Sequence, residues 1–219
     1  MTPFSSITSV AAVLEEDDVD TDIIFPARFL LLLDKAGLGK HAFHERRHAR
    51  AGTNQPFVFD VAPFDKARIL IAGRNFGTGS SREQAVWALV DFGIRCIIAS
   101  SFGEIFYANC FKNGVLPVLR TAEEIAELQA AGRAGEEIAV DLVNQTISSA
   151  SGLAQAFDID SFRKDALLQG LDEIGSIHVH DMDDIIAFEA RQRAGSPWLY
   201  LDGRKQSFFD DLDEEKALE

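Results

Sequence analysis

The stretch Arg68–Asp91, RILIAGRNFGTGSSREQAVWALVD, constrains the chain more than any other. An apolar run of strand length passes through a turn with three glycines into the helical stripe Ala85, Val86, Trp87, Leu89 and Val90, closed before Gly93. Gly73, Gly77 and Gly79 let the backbone turn sharply and expose its N–H groups. Ser80 with Glu83 three residues on has the form of a capping box, which places the helix start at Ser80. The positive end of the helix dipole, the hydroxyls of Ser80 and Ser81 and the Arg82 guanidinium would then converge where a carboxylate or phosphate could bind. The dinucleotide fingerprint fails for want of a third glycine, where the chain has Arg82. The P-loop fails for want of Gly-Lys-Ser/Thr, and the hydrolase elbow because Ser80 follows Gly79 directly.

The chain's 219 residues, 47% of them hydrophobic, suffice for a substantial core. A formal charge of −14 argues against nucleic acid or an anionic membrane as partner and leaves any anionic ligand to a local basic site such as Arg82. With no long apolar run and no basic-then-apolar leader pattern, the expected location is cytoplasmic. Cys96 and Cys110, the only cysteines, are expected as core thiols, too few to hold an iron–sulfur cluster. The spacing of His41, His44 and His48 suits a polar helix face better than a ligand set, and no metal is assigned.

In chain order, an opening strand over residues 7–14 leads into the acidic loop 15–22, then an apolar run closed by Pro26 and Arg28. Four leucines, 30–33, are too few to span a membrane and are expected at an interface or pocket wall. The segment 44–54, with Arg46, Arg47 and Arg50, is the most basic and is expected as a surface binding loop, followed by a strand over 56–61. Past the central unit come a strand at 94–99, a helix capped by Ser101 with Glu104, and a strand at 115–119, which together imply an α/β fold with a small parallel sheet and crossover helices. A helix capped by Thr121 with Glu124 and ended by the Gly132–Gly135 turn precedes a hairpin of short strands near 138–148 and another strand near 154–159. A helix from Asp160 or Ser161 to Gly170 and a last helix over 181–193 lead to an acidic tail, 202–219, expected to be mobile.

Four ordered motifs give these residues a family resemblance: Val19-Asp20-Thr21-Asp22-x-Ile24 with Pro26; Asn75-Phe76-Gly77-x-Gly79-Ser80-Ser81-Arg82-Glu83; Ser101-Phe102 with Ile105-Phe106-Tyr107 and Asn113-Gly114-x-Leu116-Pro117; and Gly170-Leu171-Asp172-x-Ile174-Gly175. From Phe4 to about Leu199 the chain resembles the small-subunit family of the 3-isopropylmalate dehydratases, relatives of the swivelling domain of aconitase. The resemblance implies a swivelling β/β/α-type domain over residues 1–201. It also implies a two-chain hydro-lyase of leucine biosynthesis that moves a hydroxyl between C2 and C3 of isopropylmalate. A large partner subunit would carry a [4Fe–4S] cluster on its own cysteines, with no cofactor on this chain. Carried over by position, Ser80 matches the base that removes the proton beside a carboxylate, and Ser81 and Arg82 match substrate-binding residues. Asp20, Thr21, Asp22, Gly77 and Gly79 match the supporting loops. The stretch after the first loop helps to choose the substrate's side group in related proteins; here it includes Arg28, Leu31 and Leu32.

The family usually reads Gly-Cys-Gly-Ser-Ser-Arg-Glu-His-Ala-Pro-Trp, where this chain has Thr78, Gln84 and Val86. The substitutions spare Ser80, Ser81 and Arg82 and leave open a related hydro-lyase acting on another branched or methylated malate. A non-catalytic anion-binding partner is the alternative from a different functional class.

Overall fold

The computed structural model describes residues 1–32 and 34–200; Leu33 and the expected acidic tail lie outside the described residues. The chain forms two compact units, Met1–Glu173 and a second from Ile174 onward. In the first unit a seven-stranded sheet runs in the order β4-β3-β2-β1-β5-β6-β7. Its parallel half comprises β1 (Ser6–Leu14), β2 (Ile69–Ala72), β3 (Cys96–Ala99) and β4 (Leu116–Leu119). The antiparallel half continues from β1 through β5 (Glu137–Asp141), β6 (Thr146–Ser149) and β7 (Ala154–Ala156). The expected hairpin is therefore joined to the parallel sheet through β1, whose nine residues offer one edge to each half.

Side chains of the central strands alternate between two buried faces, as the pleat requires. Leu70, Ala72, Ile97 and Ala99 enter one hydrophobic cluster, while Ile69, Ile71, Cys96 and Ile98 enter another. Strands covered on both faces read as continuous apolar runs, so the Ile-rich sequence of β2 follows from its central position. Helix α3 (Glu83–Phe92) supplies Ala85, Val86, Ala88 and Leu89 to the first cluster, and α5 (Ala122–Arg133) supplies Ile125, Leu128 and Ala131 to the second. Between them in sequence lies α4 (Glu104–Lys112). Pro117, which lacks an amide donor, is accommodated in β4 because that strand is at the sheet edge.

The signals at several helix ends match the structure. Thr121 and Glu124 form a reciprocal capping box. Gly93 ends α3, and Gly170 ends α6 (Ser161–Gln169), both in the left-handed region. Other expectations are corrected. Residues 56–61 form a 3-10 turn at Val58–Asp60 instead of a strand, and α5 runs through Gly132 to Arg133. Ser101 does not cap α4, whose cap position is Gly103. The basic segment is mainly the helix α2 (His44–Arg50), and its charges are engaged internally: Arg46 pairs with Glu16, Arg47 with Asp60, and Arg50 lies 5.9 Å from the Phe57 ring centroid. His41 sits in a separate 3-10 turn, Gly39–His41, so the three histidines do not share one helix.

The second unit holds most of α7 (Glu173–His180) and all of α8 (Met182–Gly195), the latter close to the expected last helix. No helix among the described residues is long and apolar enough to cross a membrane.

Candidate active site

Strands β1, β2 and β3 are adjacent and parallel, so the loops that leave their carboxyl ends emerge side by side. Such crevices are where open α/β sheets bind ligands. The acidic loop leaves β1, the glycine turn leaves β2, and the Ser101-Phe102 segment leaves β3. Three segments far apart in sequence are therefore brought to one place.

From Asp17 onward the acidic loop is bonded to the glycine turn. Asp17 accepts from the Arg74 amide at 2.7 Å, Asp18 from the Asn75 carboxamide at 2.7 Å, and the Asp18 amide donates to the Arg74 carbonyl at 2.8 Å. The Gly77 amide donates to the Val19 carbonyl at 2.7 Å, and the Thr21 amide to the Thr78 carbonyl at 2.9 Å. Thr21, only 2% exposed, also gives its hydroxyl hydrogen to the Ser80 carbonyl at 3.1 Å. Asp20 caps the short helix α1 (Thr21–Ile24) by accepting from the Ile23 amide at 2.7 Å. Asp22 is thereby set beside Arg82, with which it forms an ion pair.

From the other side, Ser101 accepts the Asn75 amide on its hydroxyl at 2.8 Å and the Phe76 amide on its carbonyl at 3.0 Å. The Ser101 hydroxyl that suggested a helix cap is used to hold the glycine turn. Gly77 has φ +73° with the Phe106 ring packed against it, and a Cβ built there would lie 2.2 Å from Phe106 Cγ. Only glycine meets both demands.

The expected capping box on Ser80 is absent, because α3 begins at Glu83 with Arg82 in the cap position and no side chain accepting from its first turn. Glu83 instead points its carboxylate to Trp87 Nε1 at 3.1 Å and to the Asn113 carboxamide at 2.8 Å. A bond between the Arg82 amide and the Ser80 carbonyl at 2.8 Å bends the chain before the helix starts. Ser80 and Ser81 are consequently exposed, and neither hydroxyl is hydrogen-bonded to another described residue. Uncapped first-turn amides, a half-buried guanidinium and two available hydroxyls form a setting for an anion.

The remaining candidates lie on the segment after α1. Arg28 occupies the 3-10 turn Ala27–Phe29, donates to His44 Nδ1 at 2.7 Å and pairs with Glu45. Leu31 and Leu32 are exposed, at 89% and 41%, and with Asp34, Ala36, Gly37, Leu38 and Lys40 they line an open depression of about 560 Å³. Lys35 lies 4.5 Å from the Trp87 ring centroid and donates to Asn113 at 3.4 Å. Neither His44 nor Lys35 was singled out in the sequence as a support for this segment, since both depend on contacts between separate elements. The Ser101 and Asn113 motifs were visible there, but their shared task of bracing the turn was not.

Cys96 and Cys110 are both buried in the core, and burial pushes their thiols well above the usual range. Among the described residues no group of three or more His, Cys, Asp or Glu side chains is placed to hold a metal ion.

Residues 1–123 match the family model of the aconitase C-terminal domain. The 3-isopropylmalate dehydratase small subunit of Dinoroseobacter shibae is 46% identical over 202 residues, covering 91% of this chain and 100% of that protein. The protein of the same name from Rhodospirillum rubrum is 48% identical over 202 residues, covering 91% and 97%. Among solved structures, a 3-isopropylmalate dehydratase from Methanocaldococcus jannaschii superposes with a TM-score of 0.63 at 26% identity, covering 83% of this chain and 99% of that one. The carboxyl-end crevice thus sits in a fold shared with these proteins, and the chain belongs to the 3-isopropylmalate dehydratase small-subunit family, with an aconitase C-terminal domain.

Proposed function

We propose that this chain acts with a larger subunit as a 3-isopropylmalate dehydratase of the cytoplasm, interconverting 2-isopropylmalate and 3-isopropylmalate by dehydration and rehydration. The observation that carries the residue roles is the joining of the Asp20–Asp22 loop to the glycine turn through Thr21, which leaves the Ser80 and Ser81 hydroxyls exposed just ahead of an uncapped helix.

Ser80 removes the proton from the carbon next to a substrate carboxylate. A serine hydroxyl is a weak base in water, so its alkoxide needs a field of positive sign. The first turn of α3 and the Arg82 guanidinium supply that field, and it strengthens when the partner subunit closes and excludes water. Arg82 receives a substrate carboxylate, with Asp22 holding its guanidinium beforehand, and Ser81 adds a hydrogen bond. Leu31 and Leu32 give the substrate's branched side group an apolar surface. The cluster implied by the family finds no fitting residues here, since both thiols of the chain are inert core groups. It belongs to the partner subunit, and this chain provides the proton step and the carboxylate contacts.

The test is the pair co-expressed and assayed without oxygen. Ser80→Ala should lower turnover by a factor on the order of 10² to 10⁴ while the two chains still co-elute. Unchanged turnover sinks the role of Ser80. A pair that ignores isopropylmalate but hydrates citraconate or dimethylmaleate overturns the substrate, the outcome to which Thr78, Gln84 and Val86 would point.

A further inference from the structure

Beside the depression lies a stack of rings and charges that the proton step does not use. His41 faces Phe29 at 4.0 Å between centroids and 21° between planes, and His48 faces His44 at 3.7 Å and 17°. His44 meets Phe29 from the side, 4.9 Å between centroids, while the Arg28 guanidinium covers that phenyl ring at 4.8 Å. Arg28 donates to His44 Nδ1 at 2.7 Å, and His48 Nδ1 donates to the His44 carbonyl at 2.8 Å. The Phe43 amide, donating to the Ile24 carbonyl at 2.8 Å, ties the start of α2 to the end of α1.

A guanidinium can only donate, so His44 Nδ1 must accept and its proton must reside on Nε2. A protonated His44 has no lone pair to offer and turns a like charge toward Arg28.

We propose that His44 is a positioning residue that completes the latch on Arg28, already paired with Glu45, and so keeps residues 28–32 in place for the substrate most firmly while its imidazole is neutral. The proposal rests on the substrate-facing role given above to Leu31 and Leu32. The groups around His44 come from three elements: Arg28 and Phe29 from the first 3-10 turn, His41 with its neighbour Lys40 from the second, and Glu45 and His48 from α2. Glu45, 3.9 Å from His44 Nδ1, is the one among them that favours protonation. Burial, then the neighbouring His48 and Arg28, outweigh it and hold His44 below the usual 6.5. His41 is lowered likewise, by burial and then by Lys40 and Arg28. With the folded value depressed, the contribution of the latch is complete above the ordinary histidine value and fades as pH falls through the lowered one. The segment bearing Leu31 and Leu32 is therefore held more firmly at neutral pH and loosened on acidification.

Two measurements test this. In the full chain, the NMR titration midpoint of the His44 ring should rise when Arg28 is replaced in Arg28→Met; an unmoved midpoint overturns the latch. In the reconstituted pair, KM for 2-isopropylmalate should rise about tenfold as pH falls through the His44 midpoint, the scale of one hydrogen bond to a charged group. His44→Asn, whose carboxamide oxygen accepts at any pH, should flatten that rise with kcat held, and His44→Ala should keep KM high throughout. A wild-type KM that ignores pH, or a His44→Asn profile matching wild type, overturns the proposal while turnover by the pair keeps the dehydratase reading intact. A pair without turnover condemns that reading and the proposal's claim on substrate together, and the NMR arm still decides the Arg28–His44 contact.

Discussion

The glycine turn and the leucine segment, two parts of the candidate site, are held in different ways. The turn from Arg74 to Arg82 is secured largely by backbone hydrogen bonds to the acidic loop and to Ser101, with a buried aromatic ring against Gly77. After α1, Phe29, Leu30 and Leu38 pack on the core, but the charged residues between them rest on long side chains at or near the surface, Arg28 on His44 and Glu45 and Lys35 on Trp87. Backbone bonds within a packed frame fix atoms closely, as a proton transfer requires. Exposed side-chain contacts contribute less and can rearrange. Groups doing chemistry would therefore vary little within such a fold, while the surface that chooses a substrate's side group could be rebuilt around it.

Three substitutions can break or sharpen that contrast. Gly77→Ala should have the largest effect, about 2 to 5 kcal/mol of stability in urea unfolding, because a left-handed non-glycine residue and a clash with Phe106 add together. A loss below about 1 kcal/mol would mean that the turn is far more pliant than its packing indicates. Thr21→Val comes next, removing the bond to the Ser80 carbonyl from a buried site. It should cost about 1 kcal/mol in unfolding and lower kcat by about tenfold through a displaced Ser80, and wild-type kcat would show that the acidic loop does not position the base. Leu32→Ala should change stability by less than about 0.5 kcal/mol, since the side chain is exposed. Its effect should appear in the relative kcat/KM for isopropylmalate against a smaller malate, by about 1 kcal/mol, the scale of a lost apolar contact. Equal losses for both substrates would remove Leu32 from the specificity surface.

The local signals in the sequence were of unequal value. The continuous apolar run of β2, the Thr121 capping box and the left-handed ends at Gly93 and Gly170 could be read because each depends on residues close together in sequence. The Ser80 and Ser101 caps could be misread for the same reason. The pattern of serine followed by glutamate specifies a cap only if no other group competes for the side chains. Here Glu83 is drawn to Asn113, 30 residues away, and the Ser101 hydroxyl to the Asn75 amide, 26 residues away. The arginines of 44–50 read as a free basic patch until their acceptors at Glu16 and Asp60 are seen.

By itself, then, the sequence determined the α/β class, the glycine turn with Ser80, Ser81 and Arg82, and the family, because these rest on short-range patterns and ordered motifs. The tertiary structure decided what those residues face. Three adjacent parallel strands place the acidic loop, the glycine turn and Ser101 at a common carboxyl end. That arrangement moves the helix start to Glu83 and leaves the Ser80 hydroxyl available, because Glu83 is drawn to Asn113 and Thr21 holds the Ser80 carbonyl, so the local serine–glutamate cap does not form.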